Sequence, residues 1–145
     1  MSFKVLSKKE VRIIAAMGRG VIPRGGKSFK LGAADLEDKW LSRTDYMLSR
    51  MTKGTQFGLR LACHAVNYLW PLIFAKGFKP MTSMEEDALV EMFRAIDHSS
   101  FPGPYTLLLV KILVFLPFYG LDEAKQAIGY KEKFSNHPDF EGIKA

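Results

Sequence analysis

The sequence predicts an all-α protein: a compact single-domain bundle of five or six helices followed by a polar C-terminal tail. Three observations carry this. Apolar residues recur at three- and four-residue spacing in successive windows. No window sustains the period-two alternation of a strand with turn punctuation. Most helical windows are bounded by a capping residue or by a glycine or proline stop.

The first helix is expected from about Lys8 to Arg19. Ser7 and Glu10 have capping-box spacing, Val11, Ile14 and Ala15 begin an apolar face, and Gly20 and Pro23 end it. Residues 18–32, with five glycines and one proline, read as a loop. A second helix is expected from Ala33 to about Met51, with Leu36, Trp40, Met47, Leu48 and Met51 on one face and Asp35, Glu37 and Asp38 near its positive end. A third spans about Thr55 to Trp70, with Leu59, Ala62, Cys63, Val66 and Trp70 at core spacing, and Pro71 kinks or ends it.

The fourth helix has the clearest pattern. Thr82 or Ser83 caps it, Glu85, Glu86 and Asp87 suit its dipole, and Leu89, Met92, Phe93 and Ile96 fall at i, i+3, i+4, i+7. It stops near His98, before a Ser-Ser-Phe-Pro-Gly-Pro turn. The fifth, about Tyr105 to Phe118, is apolar on all sides apart from Thr106 and Lys111. It is too short for a span of about 20 residues and carries a mid-segment charge, so it reads as a central helix buried by the others. A short last helix, Glu123 to Ile128, follows Asp122 and ends at Gly129. Residues 1–130 form the helical domain, and 131–145 a polar tail or partner-binding arm.

The totals narrow the function classes. A 145-residue chain buries roughly 70% of its extended surface, and 48% hydrophobic content with 12% aromatics argues against disorder. Cys63 is the lone cysteine, so no internal disulfide forms. The N-terminal apolar stretch is interrupted by Lys8, Lys9, Glu10 and Arg12, unlike a signal peptide. That favours the cytoplasm, with a periplasmic or membrane-associated location if a partner carries the chain out. Residues 1–30 hold eight Lys/Arg against Glu10, a net +7, and the rest of the chain sums to −1. Lys8, Lys9, Arg12, Arg19, Arg24, Lys27 and Lys30 therefore form a basic patch for an anionic membrane, nucleic acid or an acidic protein. Nucleic acid fits least, because no aromatics interleave with the cluster.

A catalytic or metal centre is not expected. His64, His98 and His137 lie in separate segments without Glu-x-x-His spacing. Cys63 and His64 are neighbours, which on a helix point about 100° apart, so Cys63 reads as a small core residue. Gly18-Arg19-Gly20 and Arg24-Gly25-Gly26-Lys27 could cradle a phosphate, but neither known phosphate-loop pattern is matched and no strand precedes them. An enzyme pocket built from His64, Tyr68, Lys111 and Tyr119 is a third reading that nothing in their spacing requires. The aromatic supply exceeds what a small bundle needs, and Trp40, Trp70, Phe115, Phe118, Tyr119 and Tyr130 are candidates for a partner interface.

The order of features resembles the gluconate 2-dehydrogenase subunit 3 family, the small subunits of membrane-linked flavin dehydrogenases. The similarity is carried by Val21-Ile22-Pro23 after an amphipathic helix, Gly32-Ala33-Ala34, the capped helix from Met84 to His98 ending in Ser99, and an apolar helix with Lys111. Phe118-Tyr119-Gly120-Leu121-Asp122 through Ile128-Gly129-Tyr130 completes it. The resemblance implies a non-catalytic subunit that binds no cofactor and helps fold, stabilise or export a large FAD-binding subunit of the glucose-methanol-choline (GMC) type. That large subunit passes electrons to a cytochrome or another acceptor. Family members commonly begin with a twin-arginine signal, which this chain lacks.

Overall fold

The computed structural model describes residues 3–26 and 30–129. It is all-α, with seven α-helical stretches and no strand among those residues: α1 (Lys8–Val21), α2 (Glu37–Ser49), α3 (Lys53–Phe74), α4 (Glu86–Asp97), α5 (Gly103–Val110), α6 (Leu116–Tyr119) and α7 (Asp122–Ala127). Short 3₁₀ turns at Ala33–Leu36 and Met81–Ser83 precede α2 and α4, and a π turn, Lys111–Phe115, fuses α5 and α6 into one rod. The tail from residue 130 onward, Tyr130 included, lies outside the described residues, as does Lys27.

The central helix is α1, not the fifth. The capping box starts it as expected: the Glu10 amide donates to Ser7 Oγ at 3.3 Å and the Ser7 amide to Glu10 Oε2 at 2.8 Å. Ile13, Ile14 and Met17 are fully buried, and α1 packs most extensively on α4 while also touching α3 and α2. The helix runs through Gly18-Arg19-Gly20, which the local sequence reads as a loop. A Cβ on Gly18 would lie 2.7 Å from Trp40 Cζ2, and one on Gly20 2.5 Å from Phe93 Cδ2. Each glycine costs a helix interior about 1 kcal/mol relative to alanine. Here both exist because two rings lie directly on the helix backbone.

α2 begins at Glu37, four residues later than expected, since Ala33–Leu36 is a 3₁₀ turn. The Trp40 indole N–H donates to the Ala33 carbonyl at 2.8 Å, closing that turn onto the core. Asp45, buried on the same helix, accepts the amides of Lys4, Val5 and Leu6 at 2.7, 2.9 and 2.9 Å, and so fixes the chain ahead of α1. At the α2–α3 junction Gln56 Nε2 donates to the Leu48 and Met51 carbonyls at 2.9 and 3.0 Å, satisfying acceptors at the helix end.

α3 continues past Pro71 to Phe74, one turn beyond the expected stop. Proline removes one backbone bond but the helix resumes, with the Ala75 amide on the Pro71 carbonyl. The fourth helix buries Leu89, Met92, Phe93 and Ile96 as the spacing predicts. Its start is different: Thr82 and Ser83 belong to the 3₁₀ turn, where the Thr82 amide donates to Asn67 Oδ1 at 3.1 Å, and Glu85 takes the N-cap position.

The α5–α6 rod is not enclosed. Thr106, Leu109, Val110, Leu113, Val114 and Phe118 face the core, while Tyr105, Leu108, Lys111 and Leu116 face outward. Pro117 has no amide hydrogen to give to the turn before it, and the helix there widens, with the Leu116 amide reaching the Lys111 carbonyl. The Leu113 carbonyl is met from α2 by the Thr44 hydroxyl at 3.0 Å, which also lies 2.9 Å from the Trp40 carbonyl. α7 ends at Ala127, one residue short of the expected Ile128, and Gly129 beyond it has a φ of 69° that favours glycine. No helix among the described residues is long and apolar enough to cross a membrane.

Candidate docking surface

The candidate interface residues separate into two groups. Trp40 and Phe118 are 0% exposed and belong to the core, so neither is presented to a partner. Trp40 is held by Gly18 and the Ala33 carbonyl, and Phe118 packs edge-on against Tyr119. The other described candidates, Trp70, Phe115 and Tyr119, are partly buried at the edge of the core.

Trp70 bridges α3 and α5, its indole N–H donating to Thr106 Oγ1 at 2.8 Å. Phe115 and Tyr119 line an open, largely apolar groove of about 600 Å³ with Leu108, Ile112 and Leu116. Burial raises the Tyr119 phenol above its ordinary value. Gly120 is also at this groove, with the Arg43 guanidinium packed over it.

The larger feature was not read from the sequence. The outer face of α3 carries Phe57, Leu61, Tyr68 and Leu72, all about half exposed or more, with Phe57 at 68%. Their spacing of i, i+4, i+11 and i+15 is a second apolar stripe, opposite the buried one that includes Cys63 and Val66. α5 lies alongside, antiparallel, with Ala62, Ala65 and Val66 meeting Tyr105 and Leu109 along the seam. Tyr105 and Leu108 are exposed on α5 beside this seam, and Leu108 also lines the groove. The formally charged residues of these two segments are all basic. Neither Asp nor Glu occurs from Tyr46 through Met84, or again from His98 through Leu121. Lys9 lies over the Tyr68 ring at 5.3 Å from its centroid, and Lys53 and Lys111 are exposed on the two helices.

The described residues of the expected basic patch lie on α1 and in the segment after it. Lys8, Arg12 and Arg19 follow one stripe of α1. Arg24 Nε instead pairs with Asp35 at 2.8 Å, while Lys30 lies in the connecting loop.

The main gathering of titratable groups surrounds Glu10, which is 2% exposed. Its Oε1 accepts from Arg60 Nε at 2.7 Å and lies 3.5 Å from His64 Nε2. Burial pushes the carboxyl up, but the Arg60 bond, the two Ser7 donors and the Arg60 charge outweigh it, and the net effect is below the ordinary 4.5. Next to this carboxylate, burial and then the Glu10 charge push the Cys63 thiol up to about 12. A thiol so protonated is a core group, not a nucleophile. Native protein at about pH 8 should accordingly label with iodoacetamide at least about a hundredfold more slowly than urea-unfolded protein. Mass spectrometry would read this, and equal rates would place Cys63 at the surface. His98 caps α4 and is exposed, and His137 lies outside the described residues. Among the described residues no three His, Cys, Asp or Glu are placed to hold a metal ion.

No family model, no curated protein and no solved structure matches this chain.

Proposed function

We propose that this chain is a non-catalytic accessory subunit that covers its α3 and α5–α6 face with a larger protein. The observation that supports it most is the set of exposed apolar residues Phe57, Leu61, Tyr68 and Leu72 on α3 and Tyr105 and Leu108 on the neighbouring α5. Patches of this kind, beyond a few hundred Å², are rare on free soluble monomers and mark interaction sites. The all-cationic charge of the two segments calls for a partner surface that is apolar with carboxylates at its rim.

The partner proposed is the FAD-binding large subunit of a GMC-type dehydrogenase. Its support is the motif order in the sequence, and the Tyr119-Gly120 part of that order borders the groove. On this reading FAD and the redox chemistry belong to the partner, as does transfer to a cytochrome or other acceptor, and the compartment follows the partner.

Co-expression with such a large subunit tests both parts. Wild type should co-purify with it and raise its FAD content, and the chain made by itself should self-associate. Leu61→Asp with Leu108→Asp places two carboxylates in the contact and should weaken capture on the order of a hundredfold or more. A chain that stays monomeric by itself at high concentration, beside a large subunit that folds and loads FAD without it, would defeat the proposal.

A further inference from the structure

One end of the α3–α5 pair differs from its face. The bond from Trp70 to Thr106 ties the C-terminal part of α3 to the N-terminal part of α5. The loop that leaves α3 (residues 75–80) and the loop that enters α5 (residues 98–102) therefore emerge at the same end. The first carries Phe78, 96% exposed, between the exposed Lys76 and Lys79. The second carries Phe101, 75% exposed, which stacks edge-on against Tyr105 at 5.8 Å. Leu72 and Ile73, on the last turn of α3, are also exposed.

We infer that this end is a membrane-interface contact, in which Phe78 and Phe101 enter the headgroup region of a bilayer bearing anionic lipid while Lys76 and Lys79 bind its phosphates. Shape suits a bilayer: Phe78 and Phe101 protrude from two loops at the same end, and no wall of the protein encloses Phe78. A fluid interface closes around such a protrusion, taking up the ring at the level where aromatics concentrate and leaving the lysine ammoniums at the phosphates. Charge favours an anionic surface: no carboxylate lies within the α3 segment or its loop, and the nearest in sequence to Phe101 is Asp97, at the end of α4. The inference concerns the tip and stands independently of what covers the face.

The test is flotation of the full-length chain, or of its complex if it needs one, with extruded vesicles. One set is phosphatidylcholine, and the other contains about 30% phosphatidylglycerol. Wild type should float with the anionic vesicles and should weaken in high salt. Phe78→Ser with Phe101→Ser should lower partitioning by roughly tenfold for each ring, and Lys76→Gln with Lys79→Gln by roughly thirtyfold. All four positions are exposed, so circular-dichroism melts should match wild type. The Leu61→Asp/Leu108→Asp protein should still float, which separates failure of this inference from failure of the docking proposal. Absence of flotation, or undiminished flotation of the ring variant, would overturn the inference. So would a ring variant that loses a co-purifying protein while floating normally, since that assigns the tip to a protein contact.

Discussion

Trp40→Ala should cost about 3–5 kcal/mol, a large part of the 5–15 kcal/mol that holds a typical domain together. The ring is wholly buried, and three things depend on it. It fills the space above Gly18, its N–H satisfies the Ala33 carbonyl, and it anchors α2 against α1. Removing it leaves a cavity bounded by a glycine with no side chain to collapse into the gap. Trp40→Phe keeps most of the apolar volume and loses the hydrogen bond, so its cost should be about 1–3 kcal/mol. Urea melts of the two variants would establish the order. A Trp40→Ala loss below about 1 kcal/mol would mean that α1 and α2 do not depend on this ring.

Glu10→Ala should follow at about 2–4 kcal/mol, combining a lost capping box with a lost charged hydrogen bond from Arg60. Half-exposed Arg60 can turn to water, which keeps the loss below that of a fully buried pair. The same carboxylate gives a pH signature. Its folded value lies below the ordinary 4.5, so the unfolded chain takes up the proton first. The stabilisation is then complete above about 4.5 and fades as pH falls through the folded value. Urea midpoints measured from about pH 6 to about pH 3 should decline in wild type, and less steeply in Glu10→Gln. Parallel profiles would show that the carboxylate does not carry the linkage.

What the sequence made legible were the features decided locally. The Ser7–Glu10 capping box and the Leu89–Ile96 spacing each depend on atoms within a few residues, and both are present as expected. The misreadings come from distant atoms. Gly18 and Gly20 look like loop residues until Trp40 and Phe93 are placed on them. Pro71 reads as a kink or a stop, and the helix continues for another turn beyond it. The fifth segment looks central because it is apolar throughout, whereas α1, with more charge, takes the middle of the bundle. The interface reading suffered from the same limit. An excess of rings is visible in composition, but which rings are inside is set by tertiary packing. Trp40 and Phe118 went in, while Phe57, Tyr68, Phe78 and Tyr105 stayed out. The four-residue offset from Phe57 to Leu61 and the later Tyr68 and Leu72 could have been found as a second stripe on a helix whose first stripe was already assigned.

The widened turn at Lys111–Phe115 makes the α5–α6 rod a strut with a brace behind it. The brace is one hydroxyl on α2, reaching across the core to the Leu113 carbonyl. The backbone that carries Phe115, Leu116 and Tyr119 to the groove is thus held from behind by a buried residue of the neighbouring helix. Over evolution or in the laboratory, the fit of that groove to what it holds could be adjusted at residue 44 without altering any atom of the contact surface.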